Sequence, residues 1–114
     1  MRHYFLTLVG CSILTAGLAA SSAHADDALA AKIAGADVGY GEYLAGECVT
    51  CHQKSGVSRG IPSIAGMDGQ AFVSIMAAYR KKELDNKVMQ MVAGRLDDEQ
   101  IVSLAAYFSK LPPN

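Results

Sequence analysis

The stretch Cys48-Val49-Thr50-Cys51-His52 decides how this chain is interpreted. Two cysteines separated by two residues and followed at once by a histidine form the C-x-x-C-H pattern at which a c-type haem is attached. Residues three apart lie on one face of a helix, so both cysteines can form thioether bonds to the haem vinyl groups. The histidine is then placed to bind the iron. The motif predicts one covalent haem c, held by Cys48, Cys51 and His52.

The first 25 residues have the organisation of a secretory signal peptide. Arg2 gives a positive start, residues 4–20 form an apolar run, and a small-x-small cleavage site ends at Ala25. We therefore predict that residues 1–25 are removed. Residues 26–114 would form a single haem domain in the periplasm.

Cys11 raises an alternative at this end of the chain. Leu8-Val9-Gly10-Cys11 resembles the lipidation signal of lipoproteins, but only about seven apolar residues precede the cysteine, which is short for a signal core. An uncleaved membrane anchor is a second alternative. We expect neither, and no stable membrane insertion after cleavage.

The remaining 89 residues keep two cysteines and one histidine, all in the motif. Loss of Arg2 leaves nine basic residues against 11 acidic ones, a formal charge of −2. A chain without basic excess is not expected to bind nucleic acid. A structural zinc site needs four ligands, and only three Cys and His residues remain.

Two further interpretations of the cysteines are disfavoured. A thioredoxin-like redox pair lies near a βαβ pattern, and no convincing strand leads into this one. A structural disulfide would leave His52 unexplained and would close too short a loop to stabilise the chain much.

Helical periodicity runs through the predicted mature chain. Residues 26–36 are expected to be a frayed lead-in, and residues 53–66 a loop rich in glycine, serine and proline. Asp37, Asp68 and Asp97 are expected to cap three helices, the last with Gln100 as a variant capping box. A short turn or helix is expected over residues 87–93. The expected buried positions are Phe72, Ile75, Met76 and Tyr79 in the middle helix and Ile101, Leu104, Ala105 and Phe108 in the last.

Taken together, the helix leading into C-x-x-C-H, the proline loop, a later methionine and the amphipathic last helix resemble a class I c-type cytochrome over about residues 37–111. The resemblance implies an all-α fold of three to four helices around one haem. It implies that the first and last helices cross, with Gly39 or Gly41 and Tyr43 meeting Leu104 and Tyr107 or Phe108. It also implies that a backbone carbonyl in the neighbourhood of Pro62 accepts the Nδ1 proton of His52 and so fixes its tautomer.

No second histidine remains for the sixth position of the iron, which leaves lysine or methionine. We expect methionine, because it suits a haem carrier by raising the reduction potential. Met67 and Met76 are interpreted as packing residues. Relatives that resemble this chain place the ligand about seven residues before the apolar residue that precedes the final helix cap. Counting back from Leu96 gives Met89, and Met91 is the fallback.

A haem with both axial positions filled indicates an electron carrier rather than an enzyme acting alone. The segment around Met89 is apolar apart from Gln90, without the groups that peroxidase chemistry needs, which leaves a haem enzyme or ligand sensor a remote alternative. Six basic side chains of the predicted mature chain have two interpretations. They form a positive rim that guides a negatively charged redox partner, or they belong to a solvated helix end whose cations offset the helix dipole. These cations are Lys54, Arg59, Arg80, Lys81, Lys82 and Lys87.

One subgroup of cytochromes is especially similar, the haem subunit of flavocytochrome c sulfide dehydrogenase. The matching positions are Pro62, Ser63, Ile64, Ala65, Met67, Asp68, Phe72, Val73, Met76, Met89, Ala105, Ala106, Tyr107 and Phe108. This resemblance implies redox protein partners, with an FAD-containing flavoprotein subunit as the electron donor. A freestanding shuttle of a respiratory or photosynthetic chain is the alternative.

Overall fold

The computed structural model describes residues 20–53 and 60–113, and this part of the chain forms five α-helices without a strand. The helices are α1 (Ala20–Ala34), α2 (Val38–Cys48), α3 (Gly69–Arg80), α4 (Lys87–Gly94) and α5 (Asp98–Lys110). The all-α prediction is confirmed. The described residues form five helices, whereas the sequence predicts three to four. Among the described residues, no helix is long and apolar enough to cross a membrane. Residues 1–19, with Cys11 and all but the last residue of the apolar run of the predicted signal peptide, lie outside them, as do Lys54 and Arg59.

Side-chain caps fix where the helices begin. Asp37 accepts a hydrogen bond from the backbone nitrogen of Tyr40 at 3.0 Å, and Asp68 caps α3 in the same way. Asp97 and Gln100 form the reciprocal bonds of a capping box at the start of α5. These three predicted starts are confirmed.

The crossing of α2 and α5 forms the largest helix–helix interface among the described residues and holds the C-x-x-C-H motif against the rest of the fold. Gly41 is the contact point, because a Cβ atom there would lie 2.1 Å from the carbonyl oxygen of Ser103. Tyr107 lies beside it, as expected. The prediction that Tyr43 joins this crossing is wrong: Tyr43 points outward and is 80% exposed, since it lies more than half a turn away from Gly41 around the helix.

The core is formed by side chains of α2, α3, α4 and α5, of which α5 contributes the most. Phe72 and Met76 of α3 are buried, and the Phe72 ring stacks on that of Phe108 with centroids 5.7 Å apart. The predicted burial of Ile75 is wrong, because Ile75 is 38% exposed. The buried side of α3 is centred between Phe72 and Met76, and Ile75 lies about a quarter turn to one side of it.

Residues 26–34 are not a frayed lead-in but the second half of α1, which packs on α3 and α5. Ile33 lies against Gly69, whose lack of a side chain lets the two helices approach. The Gln70 amide donates a hydrogen bond to the carbonyl oxygen of Asp26 at 3.0 Å. The segment is too rich in alanine to show an amphipathic pattern, and these contacts to other helices explain why it is ordered.

Candidate functional site

The C-x-x-C-H motif forms a tight turn at the end of α2. The carbonyl oxygen of Cys48 accepts hydrogen bonds from the backbone nitrogens of Cys51 at 3.2 Å and His52 at 2.8 Å. The turn therefore brings the three motif residues onto one short segment. Both thiols are free, with Cys48 partly buried against the core and Cys51 exposed.

His52 is oriented by the loop that follows it. Its Nδ1 atom lies 2.7 Å from the carbonyl oxygen of Pro62, a hydrogen-bond distance. A backbone carbonyl can only accept, so Nδ1 carries the proton and donates it. The Nε2 atom then has a free lone pair, which is the form of imidazole that binds a metal. This contact is the one expected from the sequence, and the role of His52 toward iron stays a prediction.

The environment of Cys48 differs from that of a reactive cysteine. Burial and, second, the negative charge of Glu47 raise the pKa of its thiol above the ordinary value. Cysteines that act as nucleophiles or redox centres have a lowered pKa, usually from a nearby positive charge or a helix N-terminus. Cys48 instead lies at the C-terminal end of α2 beside a carboxylate. The local chemistry disfavours a thioredoxin-like pair.

Within the described residues, no group of three or more His, Cys, Asp or Glu side chains is arranged to hold a bare metal ion. The C-x-x-C-H motif provides one imidazole, from His52, and two thiols, from Cys48 and Cys51, close together in the sequence. They fit a porphyrin that brings four iron ligands of its own and needs the protein for attachment and axial ligation.

The two methionines of α4 differ in exposure. Met89 is half-buried and packs on the core, and its backbone nitrogen donates to the side chain of Asn86, which caps the helix. Met91 is 58% exposed. The choice of Met89 over Met91 as the iron ligand stays a prediction, and the Asn86 cap was not predicted, although an asparagine before an apolar run is a helix-start signal.

His52 and Met89 lie on different helical segments, although Cys48 of the motif and Met89 both pack against the same core. His52 follows α2, which packs on α5, whereas Met89 lies on α4, which packs on α3. In the described part of the chain, the backbones of α2 and α4 are not adjacent, and Ala45 of α2 and Ala93 of α4 belong to the same hydrophobic core. The structure thus brings His52 and Pro62 together, and holds Met89 on a different helix pair.

One of the cations named for the positive rim has a partner in the structure. Arg80 donates to Asp98 across 2.6 Å, and this ion pair joins the end of α3 to the start of α5. The pairing holds the pKa of Asp98 below its ordinary value. Sequence spacing gave no sign of this contact, which depends on how two helices pack. Lys81, Lys82 and Lys87 are exposed.

The fold and the site define an all-α protein with a C-x-x-C-H turn whose histidine is oriented by a backbone carbonyl. No protein-family model matches the chain. The chain is similar to the thiosulfate dehydrogenase electron acceptor of Thiomonas intermedia (strain K12), with 32% identity over 73 residues. The similarity covers 61% of this chain and 34% of that protein, so the chain spans about a third of the length of its relative.

Proposed function

We propose that this protein carries single electrons through one covalently bound haem c, ligated by His52 and Met89. The observation that supports this most is the 2.7 Å hydrogen bond from His52 to the Pro62 carbonyl, directly beside two free cysteines. A histidine that binds a metal through one nitrogen usually donates its other ring N–H to such an acceptor.

Each residue then has a limited task. Cys48 and Cys51 would hold the haem covalently, and His52 would offer Nε2 to the iron while its bond to Pro62 keeps the imidazole from rotating. The bound haem supplies the one-electron chemistry. Met89, anchored by the Asn86 cap, offers a thioether that raises the reduction potential. With His52 and Met89 both bound to the iron, no position would remain for a substrate, and the protein would act as an electron acceptor for an enzyme rather than as the enzyme.

The electron donor we propose is a periplasmic dehydrogenase that oxidises a reduced sulfur compound. The name of the similar protein, an electron acceptor of thiosulfate dehydrogenase, supports this class of donor. The resemblance to the flavocytochrome c haem subunit supports a second candidate of the same class, an FAD-containing flavoprotein that oxidises sulfide.

A reconstitution experiment separates these donors. The purified ferric holoprotein is mixed with a thiosulfate dehydrogenase and thiosulfate, or with a sulfide-oxidising flavoprotein and sulfide, and haem reduction is followed by absorbance. Each mixture without its enzyme serves as the control for direct chemical reduction. We expect enzyme-dependent reduction in the first mixture. Reduction only in the second would identify the flavoprotein as donor, and reduction in neither would leave a freestanding shuttle for another chain.

A further inference from the structure

The side of α2 that faces away from the core has an unusual composition for a solvated helix. Gly41 and Ala45 lie on the buried side, against α5. At 100° per residue, five exposed positions fall together on the opposite side. We call them the α2 outer face: Gly39, Glu42, Tyr43, Gly46 and Glu47.

Tyr43 lies at the centre of the α2 outer face. At 80%, it is the most exposed large apolar or aromatic side chain among the described residues. Its ring stacks on Tyr40, with centroids 6.5 Å apart and planes 12° from parallel. The Tyr40 hydroxyl in turn accepts a hydrogen bond from Gln100 of α5 at 3.2 Å. Because the Tyr43 ring is already held by Tyr40, it loses little conformational entropy when a partner protein covers it. Aromatic side chains of this kind are frequent anchors of protein interfaces.

Both charged side chains of the α2 outer face, Glu42 and Glu47, are negative. Glu42 and Glu47 flank Tyr43 on its two sides, and within the described residues neither forms an ion pair. The helix itself contains no lysine or arginine. Two carboxylates around an aromatic ring therefore present a negative potential, and the complementary surface is positive.

We propose that the α2 outer face is the docking surface for a redox protein that presents lysine or arginine side chains around an apolar centre. The inference rests on the proposed function, because it names the surface through which the electron passes. The face ends beside Thr50 and Cys51, both exposed, so a partner on it lies next to the predicted haem attachment. Its charge is opposite to that of the exposed Lys81 and Lys82, which follow the C-terminal end of α3.

The test uses a cationic aromatic probe, tris(1,10-phenanthroline)cobalt(III), with the reduced holoprotein. One electron passes from the ferrous protein to cobalt(III), which gives the ferric protein and cobalt(II), with no bond or proton transferred. Anionic ferricyanide is the control oxidant. We expect Glu42→Gln with Glu47→Gln to slow oxidation by the cobalt complex about tenfold at low ionic strength, and much less at 0.15 M salt. Tyr43→Ala should slow it about threefold through loss of stacking.

The matched control is Glu83→Gln with Glu99→Gln, which removes the same charge from exposed positions elsewhere. This control should change the cobalt rate by less than twofold, and none of the variants should slow ferricyanide. An equal effect of both double variants, or no effect of Tyr43→Ala, would overturn the docking surface while the electron-transfer function stands. Failure of the wild type to react with either oxidant would instead overturn the proposed function.

A second measurement needs no electron transfer. Hexaamminechromium(III), an inert paramagnetic cation, broadens the amide signals of residues near which it collects. The expected broadening is centred on Glu42, Tyr43 and Glu47. Broadening centred on the other acidic cluster, Asp97 to Glu99, would overturn the proposal.

Discussion

Replacing Gly41 by alanine tests whether the close crossing of α2 and α5 holds the C-x-x-C-H motif in place. The new Cβ atom would lie 2.1 Å from the Ser103 carbonyl oxygen and 2.7 Å from its carbonyl carbon, whereas ordinary contacts begin near 3.4 Å. The obstacle is backbone, which cannot rotate away as a side chain can. The two helices must therefore separate by roughly 1 Å, enough to forfeit a quarter to a half of the dispersion energy of the affected contacts.

The size of the effect follows from two opposing contributions. Overpacking of this kind costs about 3 kcal/mol, at the upper end of its usual range because backbone is involved. Alanine gains about 1 kcal/mol over glycine in the interior of a helix. We expect a net loss of about 2 kcal/mol in the free energy of unfolding, and a melting temperature lower by roughly 10 °C for a domain of this size.

The assay is urea unfolding of the holoprotein, followed by circular dichroism of the helices and of the haem band. Gly46→Ala is the matched control, since it lies in the same helix and a Cβ there meets nothing within 4 Å. That variant should be more stable than wild type by about 0.5–1 kcal/mol. If Gly41→Ala is as stable as Gly46→Ala, the close crossing does not limit stability and the reasoning is refuted.

Three further outcomes are expected. Asp97→Ala removes the acceptor of the 2.8 Å bond from the Gln100 backbone nitrogen and should lower the free energy of unfolding by about 1 kcal/mol, measured as a shift of the urea midpoint; an unchanged midpoint would contradict the capping role. Because Arg80 holds the pKa of Asp98 below its ordinary 3.8, their ion pair stabilises the folded chain above that pH and loses its contribution as the pH falls through the lowered value. The urea midpoints of wild type and Asp98→Asn should therefore differ slightly at pH 7 and converge in strong acid, and a constant difference would refute the pairing. Met89→Ala should abolish the methionine-to-ferric-iron charge-transfer band, and Met91→Ala should keep it; the reverse would reassign the ligand.

Much of the fold follows from short-range signals in the sequence. Asp37, Asp68 and Asp97 were identifiable as caps because capping depends on the next three residues only. The burial of Phe72 and Phe108 follows from helical spacing. Such signals need no knowledge of the tertiary structure.

The errors concern features that depend on how helices pack. The ion pair between Arg80 and Asp98 joins residues 18 apart in the chain, and no local pattern indicates it. α1 is ordered by contacts to α3 and α5 rather than by an amphipathic pattern of its own. The resemblance to class I cytochromes implies that Tyr43 lies in the crossing, but with Gly41 at the contact point Tyr43 lies on the outer side of α2.

The candidate site was more predictable than the packing around it. Cys48, Cys51 and His52 are adjacent in sequence, so one turn of backbone suffices to bring them together. The contact of His52 with Pro62 spans 10 residues and was expected from the resemblance to class I cytochromes. Whether Met89 reaches the same iron depends on how the α3–α4 pair lies relative to the motif, which sequence spacing alone does not determine.

The covalent attachment of one haem is the central claim, and the mass of the purified protein tests it most directly. The full chain is exported together with the cytochrome c maturation machinery, and the intact mass is measured before and after extraction with acidified acetone. We predict the mass of residues 26–114 plus one haem, unchanged by extraction, and loss of the bound haem when both Cys48 and Cys51 are replaced by alanine. A chain of the bare polypeptide mass, or a haem that the solvent removes, would contradict the account.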